Sequence, residues 1–230
     1  GLDNVDLPAA RGRGIDVVNV PGGNAAAVAE LALGFVLSLL RRLPQMDDAA
    51  RTGRWDRYVG REIAGKTVGL LGFGAIARLL ARRLTGFDVT IKAYDPYADP
   101  QAAADLGVQL VPLEQAVADA DIVSVHVPHL PSTHHLGDEA RLRSMKRTAY
   151  LVNSARGPIV DEEALVAALR AGDIDFILGA LRPADYATDL AGESLLDDEL
   201  ACRLHDPVAG SVDGLGRGRV RCRARHRDSW

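Results

Sequence analysis

The stretch that decides the fold runs Lys66-Thr67-Val68-Gly69-Leu70-Leu71-Gly72-Phe73-Gly74-Ala75-Ile76-Ala77-Arg78. Thr67–Leu71 is apolar and bounded by turn residues, which predicts a buried strand. Ala75–Leu84 repeats its apolar residues at helical spacing, which predicts a helix. Between them lies Gly-x-Gly-x-x-Ala. Gly72 permits the tight turn, and Gly74 lets the backbone approach a phosphate. Ala77 is small enough for helix and strand to pack closely. The helix then points free N–H groups and a partial positive charge at the turn, the physics of an anion site. The next apolar run ends at Asp95 (Ile-Lys-Ala-Tyr-Asp), 21 residues after Gly74. A carboxylate there can accept from ribose hydroxyls and would repel a 2′-phosphate. The spacing therefore predicts a dinucleotide site that takes NAD rather than NADP.

Outward from this unit the pattern alternates. Expected strands are Val89–Tyr94, Val108–Val111, Ile122–Val127, Ala149–Asn153 and Ile174–Leu181. Expected helices are Ala102–Leu106, Leu113–Ala118, Glu139–Met145 and Glu162–Ala171, the last capped by Asp161. The strands are continuous apolar runs, as in sheets covered on both faces. The fold class expected is α/β: a doubly wound parallel sheet, with a truncated remnant of a second domain. Gly14–Val20 reads as a further short strand. Asn24 is placed to cap a helix reaching about Leu43, where Pro44 stops or kinks it. The expected organisation is a remnant over 1–23, a dinucleotide-binding domain with a hinge or dimer helix over 24–181, and a divergent segment over 182–230.

Composition narrows the function classes. The 230 residues carry a net charge of −4, which points to neither nucleic acid nor an anionic membrane. The last 15 residues hold six Arg and one Asp, leaving −9 on the rest. Arg alternates from Arg217 to Arg227, a pattern that would pile like charge on one face of a strand, so this tail reads as disordered. The apolar run Ala25–Leu40 is too short and too interrupted for a membrane span. The only two Cys, Cys202 and Cys222, form no metal or disulfide framework, and a cytoplasmic location is expected. His126, His129, His134 and His135 cluster, but no Cys, Asp or Glu joins them before Asp138. No metal is expected there.

Several segments in order resemble the D-isomer-specific 2-hydroxyacid dehydrogenases, the family that includes phosphoglycerate dehydrogenase and glyoxylate/hydroxypyruvate reductase. They are GLDNVDLPAARGRGI, VNVPGGNAAAVAELALG, GKTVGLLGFGAIA, AYDPY, HVPHLPST and MKRTAYLVNSARGPIVDEEALVAAL. The resemblance runs from Gly1 to about Leu181. It implies that Ala75 and Ile76 lie against the cofactor, and that His126, Val127, Pro128 and Thr133 line its adenine and phosphate side. Ser154 and Ala155 would sit near the nicotinamide. Arg156 would bind the carboxylate and keto oxygen of a small 2-hydroxy or 2-oxo acid, a task suited to its planar fork. The resemblance also implies a substrate domain split around the NAD domain, with a further segment ahead of Gly1, and a homodimer contact through the helix after Asn24.

Beyond Leu181 the chain departs from that family. Arg182 stands where an Asp is expected against the nicotinamide amide, and Ala187 where a Glu should orient the catalytic His. Aligned on Ala209-Gly210-Ser211, Pro207 occupies the catalytic position and His205 falls two residues early. His205 is the candidate acid/base, with Asp185, Asp189 or Glu193 as its partner; the alternative is an ordinary surface histidine. The abrupt loss of pattern, the alternating Arg and an excess of 24 Arg over 3 Lys motivate a shifted reading frame after about Leu181. Two functions follow: an oxidoreductase domain, impaired if its acid/base is lost, or a non-catalytic NAD-binding, dimerising regulatory module.

Overall fold

The computed structural model describes Leu2, residues 5–171 and the backbone of three later strands, 176–179, 191–196 and 199–203. Eight strands form one sheet: β1 (Thr67–Leu71), β2 (Thr90–Tyr94), β3 (Val108–Leu110), β4 (Ile122–Val125), β5 (Tyr150–Asn153), β6 (Phe176–Gly179), β7 (Ala191–Leu196) and β8 (Glu199–Arg203). Their order is β3-β2-β1-β4-β5-β6-β8-β7. The first six are parallel, and β8 and β7 close that side antiparallel. The strand order reverses between β1 and β4. This is the switch point at which open α/β sheets part their loops and leave a crevice.

Helices α1 (Leu7–Gly12), α2 (Ala25–Arg41), α3 (Leu43–Arg51), α4 (Ala75–Leu84), α5 (Pro100–Ala104), α6 (Leu113–Ala118), α7 (Glu139–Ser144) and α8 (Glu162–Ala171), with short 3₁₀ turns at Thr85–Phe87 and Gly157–Ile159, complete the described elements. Two apolar clusters show the double winding. On one face α2 and α4 cover Val68, Leu70, Ile91, Ala93, Ile122 and Val152. On the other α6, α7 and α8 cover Leu71, Val123, Val125 and Leu151. Residues i and i+1 of each strand thus serve opposite cores, which is why the strands read as unbroken apolar runs. Ala29 and Ala32 of α2 and Ala77 and Ala81 of α4 are fully buried, so the two helices approach closely. Arg83 and Glu30 pair across their outer edge at 2.6 Å. At Gly69 the carbonyl of Ala116 would stand 2.1 Å from any Cβ, so α6 lies directly on the β1 backbone.

Several expectations are corrected. Gly14–Val20 forms no strand. Its Ile15, Val18 and Val20 are 55%, 87% and 81% exposed, and no described neighbour offers it a ladder. Asn24 precedes α2, but its side chain makes no capping bond. The helix ends at Arg41 rather than Leu43. Arg42 turns into the left-handed region (φ 54°), and Pro44 falls in the first turn of α3, where its missing N–H costs nothing. The strands β7 and β8 were not foreseen, because Leu195-Leu196 and Leu200-Ala201-Cys202 are too short to signal them. Asp161 caps α8 as expected, accepting from the N–H of Ala164 at 3.1 Å.

Candidate functional site

Because β1, β2, β4 and β5 are parallel, the loops that follow them all open on one edge of the sheet. Register fixes their neighbourhood: Leu71 pairs with Tyr94 on one side and Val125 on the other, and Val125 pairs with Asn153. The glycine turn, Asp95, the loop from His126 and the Ser154–Arg156 turn therefore rise side by side.

The glycine turn is held from both flanks. The N–H of Gly72 donates to the carbonyl of Tyr94 at 2.8 Å. The N–H of Phe73 donates to Asp95 Oδ2, also at 2.8 Å. Gly72 has φ +96°, and a Cβ there would come within 2.9 Å of the His126 carbonyl carbon. Both backbone angle and space demand glycine. Gly74 precedes α4 with no side-chain cap, and nothing lies within 4 Å of a Cβ built on it. The N–H groups of the first turn of α4 thus have no side-chain cap, and Gly74 in front of them is exposed.

Asp95 uses both oxygens. Oδ1 accepts from the N–H of Tyr97 at 2.8 Å, so the carboxylate is fixed by its own loop while it fixes the glycine turn. No described cation pairs with it. The sequence reading placed Asp95 here but did not show its bond to Phe73, because residues 22 apart carry no local signal.

The loop after β4 begins with a histidine turned inward. The imidazole of His126 lies 2.9 Å from Ser124 Oγ through Nε2, and Nδ1 is shielded with no partner among the described residues. Burial pushes its pKa down to about 4, so the ring is neutral near pH 7. The tautomer that leaves least unsatisfied keeps the proton on Nε2, donating to Ser124. Thr133 Oγ1 donates to the Pro128 carbonyl and accepts from the N–H of Leu130 at 2.8 Å, which closes the loop tip. His134 and His135 stack with ring centroids 4.0 Å apart, and His135 Nδ1 lies 3.5 Å from Asp161. No group of three or more donors among the described residues is arranged to hold a metal ion.

The turn after β5 is knitted by one buried side chain. Asn153 donates from Nδ2 to the Arg156 carbonyl at 2.9 Å and accepts from the Ala155 N–H at 3.1 Å. This leaves Arg156 exposed, with Nη1 donating to the Ala155 carbonyl at 2.8 Å. Ser154 Oγ is shielded from solvent and has no partner among the described residues. A backbone strap joins this turn to the loop after β4. The N–H groups of His135 and Gly137 donate to the carbonyls of Pro158 and Ile159, and the N–H of Asp161 to that of Gly137, each at 3.0 Å. His205 lies outside the described residues, as do Arg182 and Ala187.

Residues 33–180 match the family described as D-isomer specific 2-hydroxyacid dehydrogenase, NAD binding domain. The chain belongs to this family. It is 44% identical over 174 residues to D-3-phosphoglycerate dehydrogenase of Rattus norvegicus, a match covering 75% of this chain and 33% of that protein. It is 44% identical over 179 residues to glyoxylate reductase of Thermofilum pendens, covering 75% of this chain and 53% of the relative. The chain thus spans between a third and about half the length of these relatives. Among solved structures it resembles apo D-lactate dehydrogenase from Escherichia coli, with TM-score 0.72, 36% identity, and 77% of this chain and 56% of that one covered. It also resembles NAD-dependent formate dehydrogenase from Staphylococcus aureus in complex with NAD, with TM-score 0.70, 36% identity, and 81% and 58% covered. The chain therefore carries the NAD-binding domain of a D-2-hydroxyacid dehydrogenase. The residues present fit that cofactor: an uncapped helix start and a side-chain-free Gly74 suit its phosphates, and Asp95 suits its adenosine ribose.

Proposed function

We propose that this chain is the cofactor-binding part of an oxidoreductase that moves a hydride between NAD and a small D-2-hydroxy acid or its 2-oxo form. The observation that carries the reading is the uncapped, open start of α4 beside Asp95 at the switch point of the sheet. Bound NAD would supply the hydride acceptor, or as NADH the donor. The protein's own residues supply the rest. Gly72, Gly74, Ala75 and Ile76 form the phosphate cradle. Val127, Pro128 and Thr133 line the adenine side, with His126 as a neutral support behind them. Ser154 and Ala155 flank the nicotinamide. Arg156, held outward by Asn153, grips the carboxylate and keto oxygen in a fork. The hydroxyl proton released on oxidation needs a base, and His205 is assigned that task.

The departures at Arg182, Ala187 and Pro207 favour a second reading, a non-catalytic NAD-binding module that dimerises through α2. Loss of an acid/base alone costs about 10²–10⁴ in rate. A cytoplasmic homodimer acting without nucleic acid fits either reading. NADH fluorescence titration of the full chain is expected to show saturable binding under both, and its absence at millimolar NADH removes both. Turnover of glyoxylate, hydroxypyruvate or phosphohydroxypyruvate is expected only under the first.

A further inference from the structure

We propose that Asp95 is a positioning residue for the glycine turn as well as a ribose acceptor, and that this second task ties the choice of NAD over NADP to the shape of the phosphate cradle. The inference rests on the cofactor reading above for its ribose half, and on the geometry of the protein alone for its positioning half.

Two consecutive amides of the turn are docked on the end of β2: Gly72 on the Tyr94 carbonyl and Phe73 on Asp95 Oδ2, both at 2.8 Å. On the other flank the turn abuts the His126 backbone. The turn is therefore held between β2 and β4, and Asp95 is the side chain in that clamp. Its other oxygen is committed to the Tyr97 N–H at 2.8 Å, so the carboxylate is already fixed when a ligand arrives. An ionised carboxylate offers about four acceptor sites. Two are used here, which leaves capacity for the two ribose hydroxyls.

The substitutions that would admit a 2′-phosphate break this clamp. Asparagine keeps one acceptor and turns an NH₂ toward one of the two N–H donors. Serine removes the charge but cannot reach both amides. Serine leaves the Phe73 amide unpartnered, asparagine sets its NH₂ against either the Phe73 or the Tyr97 amide, and both changes loosen the clamp that keeps the start of α4 in register with the phosphates. Charge removal at this one position is thus predicted not to convert the site to NADP.

The test uses the full chain with Asp95→Asn and Asp95→Ser. Amide hydrogen exchange is expected to quicken at least tenfold at Phe73 in Asp95→Ser, and at Phe73 or Tyr97 in Asp95→Asn, with Leu71 unchanged. Displacement of NADH by ADP and by 2′,3′-dideoxy-ADP separates the two tasks, since the second probe lacks the hydroxyls. Asp95→Asn is expected to weaken both probes at least threefold, and Asp95→Ser to bind NADPH less tightly than the wild type binds NADH. The proposal is overturned by unchanged Phe73 exchange in Asp95→Ser, by dideoxy-ADP binding equally to wild type and Asp95→Asn, or by Asp95→Ser taking NADPH as tightly as the wild type takes NADH. Wild-type protein that binds no NADH removes the cofactor reading instead, and the Phe73 exchange rate then decides the positioning role by itself.

Discussion

The two ends of β1 are clamped by the same device in opposite circumstances. At its start, Asp121 accepts from the Thr67 N–H at 2.8 Å, and Lys146 pairs with the carboxylate at 3.0 Å. Just past its finish, Asp95 accepts from the Phe73 N–H at the same distance, and no described cation answers its charge. The edge that only holds the sheet together is electrically closed. Among the described residues, the edge where the loops part keeps an unanswered negative charge, an uncapped helix start and a shielded Ser154 hydroxyl without a partner. A domain that spends every polar group on itself has nothing to offer a ligand. Here these three groups stand together at the end of the sheet where the loops part.

The comparison breaks most severely at Gly72. Gly72→Val meets both a positive φ and the His126 backbone, so NADH affinity should fall more than tenfold, measured by titration, with Tm lowered as well. Unchanged affinity would mean that the open edge is not a phosphate cradle. A second test sharpens the contrast through pH. Unfolded, the His126 imidazole titrates near 6.5, and folded near 4. Between those values the unfolded chain binds the extra proton. Stability is therefore complete above 6.5 and declines as pH falls to 4, by about 3 kcal/mol. His126→Gln should flatten this limb in urea melts taken from pH 4 to 7.

The smallest effect belongs to the closed edge. Burial raises the Asp121 pKa, but the Thr67 N–H and Lys146 outweigh it and hold the carboxyl below its ordinary 3.8. Its contribution is present above that value and is lost as pH falls through the depressed one. Asp121→Asn should cost about 1–3 kcal/mol near neutrality and leave NADH binding unchanged, the opposite of the result at Gly72. The penalty should shrink in acid, where the wild-type carboxyl is protonated too.

Much of this edge could be read before any coordinates. Thr67–Leu71, Ala75–Leu84, Leu113–Ala118 and Glu162–Ala171 match residue for residue, because each is a local apolar pattern ended by a strong punctuator. The parallel sheet followed from strand–helix alternation. Gly14–Val20 failed for the reason these succeeded. Its pattern is apolar, but a strand needs a partner that composition does not reveal, and the described residues supply none. The site was legible as a set of positions rather than as a set of contacts. Asp95 could be placed at the end of β2, yet its bond to Phe73 depends on two segments meeting in space. The same holds for the inward turn of His126 onto Ser124, where alternation along a strand sets the side but not the partner.

The strap between residues 135–137 and 158–161 limits how this rim can change in length. Its three backbone bonds and the Gly137–Val160 bridge fix the register of residues 135–137 against residues 158–161. The exposed tip at 129–132 lies outside the strap and is closed by Thr133 and by the His134 N–H on the Leu130 carbonyl. That tip can be lengthened without disturbing anything behind it. One residue added between His135 and Gly137 would instead slip the strap by a step and carry Arg156 with it, so the two strapped segments can be shortened or extended only as a matched pair.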